Sequence, residues 1–429
     1  MGDHSGPPHL LMEEIPMRRV AITGIGAVTP IGLGKDDFWN ALAEGKNGID
    51  FIKLFDTANY TTKIAGEVKD FDPEKWLDKK EARHTDRVIQ LAAAASDMAI
   101  ADSGIDIDSL DKNMFGVYIG SGEGGLATTE TNFETLTEKG PSRVSPFCVP
   151  MMLTNMSAGY VAIRHQAKGP NLCITTACAA SLHSIGEAYS CIARGDADVI
   201  ISGGAEAAVV PIAVAGFASL KALSTRNDDP QHASRPFDAD RNGFVIGEGS
   251  GLLVLEEYEA AKKRGAHIYA EIKGYGMSCD AHHITAPDPD GDGAYRAMAM
   301  AVKKAGWEPE SVDLINAHGT STQLNDKMET QGIKKLLGEE HAHKVMIQAT
   351  KSMTGHTLGA AGAIGTIAAL MAVDKGIVHP TINYMTPDPE CDLNYVPNKA
   401  VEAPVRRALV NSFGFGGHNA VLAIERCAD

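Results

Sequence analysis

In the run Leu172 to Ser184, LCITTACAASLHS, Cys178 stands where a β-type stretch gives way to a small-residue helical segment, Ala177 to Arg194. Free N–H groups at a helix start, with the positive end of the helix dipole, favour thiolate over thiol. That placement predicts a lowered thiol pKa and a nucleophile. Ala177, Ala179 and Ala180 leave room for a thioester to approach. A packing role competes with this reading, because a buried cysteine among alanines behaves as a small hydrophobe. Partners must decide between the two.

Three further segments supply partners. Ile315 to Asp326, INAHGTSTQLND, delivers His318 from an apolar strand into a glycine and hydroxyl turn, the position of a histidine at the mouth of a site. Thr350 to Gly362, TKSMTGHTLGAAG, brings Lys351 and His356 together before an Ala/Gly helix, where a lysine is costly unless paired. Glu329 or Asp326 is its expected anchor, with helix capping as the simpler alternative. Asn411 to Asn419, NSFGFGGHN, is either a plain glycine hairpin or a sharp turn that carries backbone N–H groups to a ligand.

The elements needed to hold these residues follow an order that repeats. β-type runs at Arg18 to Ile25 and at Tyr269 to Gly276 each precede, at a distance, a strand ending in a small polar turn, Phe115 to Gly122 and Val312 to Thr322. A Gly/Ala/Ser-rich helix follows in both cases, Ala177 to Arg194 and Thr357 to Asp374. After them come the strands Asp198 to Gly203 and, as the expected counterpart, Ile377 to Asn383. The order predicts a duplicated α/β core with halves 17–266 and 267–429, after an N-terminal tail, 1–16, outside the fold.

Composition narrows the function classes. With 39 basic against 55 acidic residues and a formal charge of −16, the chain is a poor match for nucleic acid or an anionic membrane. The 7 cysteines show no CxxC or zinc spacing, which points to reduced thiols in a cytoplasmic setting and no metal. The apolar stretch Leu358 to Val373 is shorter than the roughly 20 residues a bilayer requires and is expected as a buried helix, without membrane insertion.

Taken in order, the four segments resemble the β-ketoacyl-acyl-carrier-protein synthases, most closely the type II elongating synthases. VAITGIGAVTPIG near the start, SRPFDADRNGFVIGEGSGLLVLE from Ser234 and TINYMTPDPECDLNYVPN from Thr381 extend the likeness over nearly the whole chain. The resemblance implies an α/β thiolase-like fold, two similar βαβαβ-type halves forming a five-layered αβαβα core, and a homodimer. It implies Cys178 as nucleophile, His318 and His356 as paired imidazoles, Lys351 with Glu329 in support, and Phe415 as gate and oxyanion-hole donor. It implies decarboxylative condensation with a malonyl unit on an acyl carrier protein, in fatty-acid elongation or in a polyketide-type pathway. Two imidazoles donating to a thioester oxygen stabilise the carbanion left by lost carbon dioxide, so no metal or redox cofactor is expected.

Four residues depart from the family pattern, and two of them, Gln323 for a usual proline and His418 for a usual threonine beside the gate loop, remove no catalytic group. Glu123 in GSGEGGL and Cys148 after Pro146 and Phe147 replace apolar residues where relatives line the acyl tunnel. A carboxylate there is expected to shorten the tunnel or favour a polar chain. Carrier proteins are acidic, and Lys79, Lys80, Arg83 and Arg87, with Arg143 and Arg226, are the expected local basic surface for one. Gly120, Gly122 and Gly125 also satisfy GxGxxG, so a dinucleotide-binding oxidoreductase is the competing class, although no acidic residue closes a second strand at the expected distance.

Overall fold

The computed structural model describes residues 17–427. The stretch 1–16, expected as a tail, lies outside the described residues. Five strands come from the first part of the chain, β1 (Val20–Thr29), β2 (Phe115–Gly120), β3 (Asn171–Leu172), β4 (Val199–Glu206) and β5 (Gly249–Glu257). Five come from the second, β6 (Ala270–Cys279), β7 (Leu314–Asn316), β8 (Met346–Gln348), β9 (Arg407–Gly414) and β10 (His418–Glu425). They join in one sheet in the order β8-β7-β9-β10-β6-β1-β5-β4-β2-β3, with Gly32–Leu33 paired to β1. Counted outward from the β1–β6 junction, the chain order first, fifth, fourth, second, third recurs on both sides. The outer three strands of each side are parallel and the inner ones antiparallel.

Six helices build the layers: α1 (Arg87–Ser103), α2 (Met156–His165), α3 (Ala180–Arg194), α4 (Asp292–Ala305), α5 (Gln323–Ala342) and α6 (Ala361–Lys375). Helices α3 and α6 touch each other and strands from both sides of the junction. Helices α1 and α2 cover the far face of one side, while α4, with α5 against it, covers the far face of the other. The result is helix, strand, helix, strand, helix. The small residues of the central layer are what permit it: a Cβ on Gly362 would stand 3.0 Å from both Leu182 Cβ and Ser181 Oγ. Leu358–Lys375 is long and apolar enough to cross a membrane by composition, yet α6 is buried at every position from Ala361 to Val373.

One expected strand is displaced. Ile377–Val378 pairs with Val401–Glu402 in a separate two-stranded sheet, and the place beside β7 is taken by Arg407–Gly414. Pro380 explains the difference, because it has no N–H for a central ladder, whereas Ala408, Leu409 and Val410 provide a continuous register against Leu314, Ile315 and Asn316.

Buried histidines give the fold an acid limit. Burial holds His165, His183 and His379 down at about 4, each against a serine or threonine hydroxyl at 2.9, 2.7 and 3.1 Å respectively. The unfolded chain takes up these protons near pH 6.5, so their stabilisation is complete above that pH and is lost as pH falls toward 4. Each contributes on the order of 3 kcal/mol. The urea midpoint is therefore expected to drop steeply between pH 6.5 and 4; a level profile over that range would contradict the neutral assignment.

Candidate active site

Cys178 is 8% exposed and stands two residues before the first turn of α3, not inside it. The preceding Ala177 has φ +50°, a left-handed conformation that is strained for alanine and turns the thiol out of the chain path. Ser412 Oγ donates to the Cys178 carbonyl at 2.7 Å and fastens this elbow to β9. The expected low thiol pKa is not what the environment produces. Burial pushes the thiol up to about 12, with Glu206 adding to the rise and Lys351 and the N–H groups of Phe415 and Cys178 opposing it. Desolvation outweighs the helix start because that start lies beyond the sulfur and few charges reach it. Cys178 is a neutral thiol at rest.

His318 follows the end of β7, and its placement is controlled from behind. Glu329 on α5 accepts the N–H groups of His318 and Gly319, both at 2.8 Å, and the Asn411 amide at 3.0 Å. Lys351 Nζ donates to the His318 carbonyl at 2.5 Å and lies 3.4 Å from its Nδ1. No ion pair joins Lys351 to Glu329 or Asp326 among the described residues; the lysine is anchored on a carbonyl, and Glu329 braces the backbone instead. Burial lowers Lys351 to about 8, with Glu329 the largest opposing charge.

The two imidazoles face each other edge to face, with ring centres 5.4 Å apart. Burial first, and then the Lys351 charge, holds both well below the ordinary histidine range, so both are neutral. The Leu358 N–H donates to His356 Nδ1 at 3.2 Å, and Lys351, a donor, faces His318 Nδ1. A neutral ring whose Nδ1 accepts carries its proton on Nε2. The site therefore holds two Nε2–H donors.

Cys178, His318, His356 and Phe415 line one cavity of about 540 Å³. The run NSFGFGGHN is a β-hairpin, and its turn forms part of that wall. A Cβ on Gly414 would meet the Thr176 carbonyl at 2.6 Å and the Cys178 nitrogen at 3.3 Å, so only glycine lets this strand lie against the elbow. Phe415 and Cys178 both present N–H groups to the sulfur.

Glu206 is the residue that motif reading missed. Its buried carboxylate accepts from Ser121 Oγ and from the N–H groups of Gly122, Glu123 and Gly359, and so ties the GSGEGG loop to the segment after His356. An acidic residue closing the strand VIISGGAE was the only signal in the sequence. This arrangement also removes the dinucleotide reading, because the glycine-loop donors that would meet a pyrophosphate already hold an internal carboxylate.

The remaining expectations divide. Glu123 lines the cavity. Cys148 does not: it opens the short helix Cys148–Met152, and Gly124 and Gly125 pack against Met151, Met152 and Thr154 of that stretch, behind the Glu123 loop. Lys79, Lys80, Arg83 and Arg143 are exposed. Arg87 is not a free cation, since its guanidinium clamps the buried Glu248 carboxylate through contacts of 2.6 Å at both oxygens. Arg226 is half-buried and donates to the Asp240 carbonyl. Lys221, exposed and lining the cavity, was not foreseen.

A five-layered core with a strained cysteine elbow and two neutral imidazoles in one cavity defines a thiolase-like condensing site. Comparison with known proteins agrees. The Beta-ketoacyl synthase N-terminal domain family matches residues 17–261 and the Beta-ketoacyl synthase C-terminal domain family matches 269–385. This chain belongs to the beta-ketoacyl synthase family. The 3-oxoacyl-[acyl-carrier-protein] synthase 2 of Synechocystis sp. is 53% identical, covering 97% of this chain and 100% of its own. The enzyme of that name from Coxiella burnetii is 49% identical over 96% and 99%. Among solved structures, a beta-ketoacyl synthase from Burkholderia phymatum superposes with a TM-score of 0.89 at 36% identity, covering 96% of this chain and 100% of its own. A ketosynthase in complex with its type II PKS acyl-carrier protein gives 0.89 at 37% identity with the same coverage.

Proposed function

We propose that the protein elongates acyl chains by condensing an acyl group held on Cys178 with malonyl-acyl-carrier protein, giving 3-oxoacyl-acyl-carrier protein. In the first half-reaction the sulfur attacks the carrier-bound thioester. Its oxyanion is held by the N–H groups of Phe415 and Cys178, and the thiol proton leaves with the departing carrier thiol, so the exchange is neutral overall. In the second, malonyl thioester loses carbon dioxide and the enolate oxygen accepts from both Nε2–H donors, His318 and His356. The carbanion attacks the acyl carbonyl, and the expelled Cys178 thiolate takes a proton from water. Lys351 and Glu329 act as positioning residues that hold the His318 ring and its tautomer.

The observation that carries this reading is the gathering of one thiol, its two N–H donors and two Nε2–H donors around a single cavity. Incubation with acyl-carrier and malonyl-carrier proteins is expected to release carbon dioxide and lengthen the chain by one two-carbon unit. Acyl transfer without carbon dioxide release would overturn it.

The carrier partner is supported by Lys80 and Arg83 on the exposed helix Lys79–Arg83, where His84 stacks on Phe147 at 3.8 Å and brings the Arg143 stretch alongside. Charge reversal at Lys80 and Arg83 is expected to raise KM for carrier-bound substrate about tenfold or more while leaving small soluble thioesters unchanged. An equal effect on both would refute the assignment. We also place the enzyme in the cytoplasm as a homodimer, with the chain divided near Arg264 to Ala270. The dimer reading is supported by the exposed end strand β3 and by neighbouring exposed Phe133, Val149, Leu153 and Ile163.

A further inference from the structure

Glu123 is a carboxylic acid in the wall of an otherwise largely apolar acyl site, shared with Cys178, Phe217, Leu358 and Phe415. Its backbone N–H is spent on Glu206 at 3.1 Å, yet its Oε2 is sealed from solvent and meets no donor in the folded chain. Orphaned buried oxygens are rare, since each costs about 1–3 kcal/mol. The loop backbone is held in place beneath the group. Gly122 and Gly359 are both held on the Glu206 carboxylate, and Gly124 and Gly125 are wedged against the Met151 to Thr154 stretch. An alkyl chain drawn past Glu123 would strip water from the other oxygen, Oε1, and leave the whole carboxyl unpaired. A chain with a hydroxyl at the right carbon would pair the carboxyl through Oε1, the oxygen that is not sealed.

We propose that Glu123 is a specificity determinant that reads a hydroxyl group on the acyl chain, so that hydroxylated acyl thioesters are preferred over plain alkyl ones of equal length. The inference rests on the condensing role proposed above. Burial and the neighbouring Glu206 raise the Glu123 carboxyl to about 7, so near neutrality it both donates and accepts. A hydroxyl does the same and pairs with either form, whereas an ammonium serves only the carboxylate and a ketone only the acid.

The test walks a hydroxyl along acyl thioesters of fixed length and reads the rate of Cys178 loading by intact mass, with carbon dioxide release measured in parallel. Wild-type protein is expected to favour one hydroxyl position over the alkyl chain by about 10- to 100-fold. Glu123→Gln, which keeps a hydrogen-bonding group, is expected to retain that peak, and Glu123→Leu to lose it and gain on the alkyl chain. A flat wild-type profile, or the same peak in Glu123→Leu, overturns the assignment, and the wild-type profile decides even if the leucine variant fails to fold. Loading with a flat profile and normal carbon dioxide release counts against Glu123 alone. Loading without carbon dioxide release counts against the condensing role instead.

Discussion

Cys178→Ala is expected to abolish acyl loading and to reduce 3-oxoacyl product formation by about 10³-fold or more, the scale on which removal of a covalent nucleophile acts. Intact mass measurement checks it: wild-type protein gains one acyl group and the variant gains none. The change is small for the fold, because the cavity already faces the sulfur and Ala177, Ala179 and Ala180 surround it without filling it. An adduct that survives on the variant would move the nucleophile to another of the free thiols, of which Cys173 and Cys191 are nearest in sequence. Because burial keeps the thiol near 12, free enzyme is also expected to react slowly with alkylating agents at neutral pH, and an acyl thioester should protect it.

His318→Ala and His356→Ala are each expected to lower condensation by about 10²- to 10³-fold, the range found when one donor to a developing oxyanion is lost. Loading of Cys178 is expected to stay within about tenfold of wild type, since the donors for that oxyanion are the N–H groups of Phe415 and Cys178. The variants should therefore accumulate acyl-enzyme and stop. The double variant should fall short of the product of the two single losses, because both rings serve one oxygen. If either variant fails at loading while malonyl decarboxylation continues, the division of labour drawn from the two Nε2–H groups is wrong. Carbon dioxide release and acyl occupancy, measured on the same samples, separate these outcomes.

The two histidine segments, the cysteine segment and the glycine hairpin were legible because each places a reactive or permissive residue where one kind of element yields to another. Strand ends and helix starts are local features, and local features are written in consecutive residues. The repeated order of elements was legible for the same reason, and it reappears as the repeated strand order on either side of the β1–β6 junction. The difference at Ile377 to Asn383 is also local in origin: its residues favour an extended chain, but a full ladder beside β7 is available only from Arg407 to Gly414.

Consecutive residues settle which side chains are available for chemistry and in what order the elements carry them. Their ionisation and their company come from packing. Cys178 proved neutral instead of activated, Arg87 proved to be held by Glu248, and Glu206 proved to join the GSGEGG loop to Gly359, which lies 153 positions beyond Glu206 itself. Each depends on how much water is excluded and which distant charge arrives, and both quantities are set by packing across the layers. Spacing along a chain fixes neither, because a buried charge responds to whatever lies within a few ångströms, however far away in sequence that atom was made.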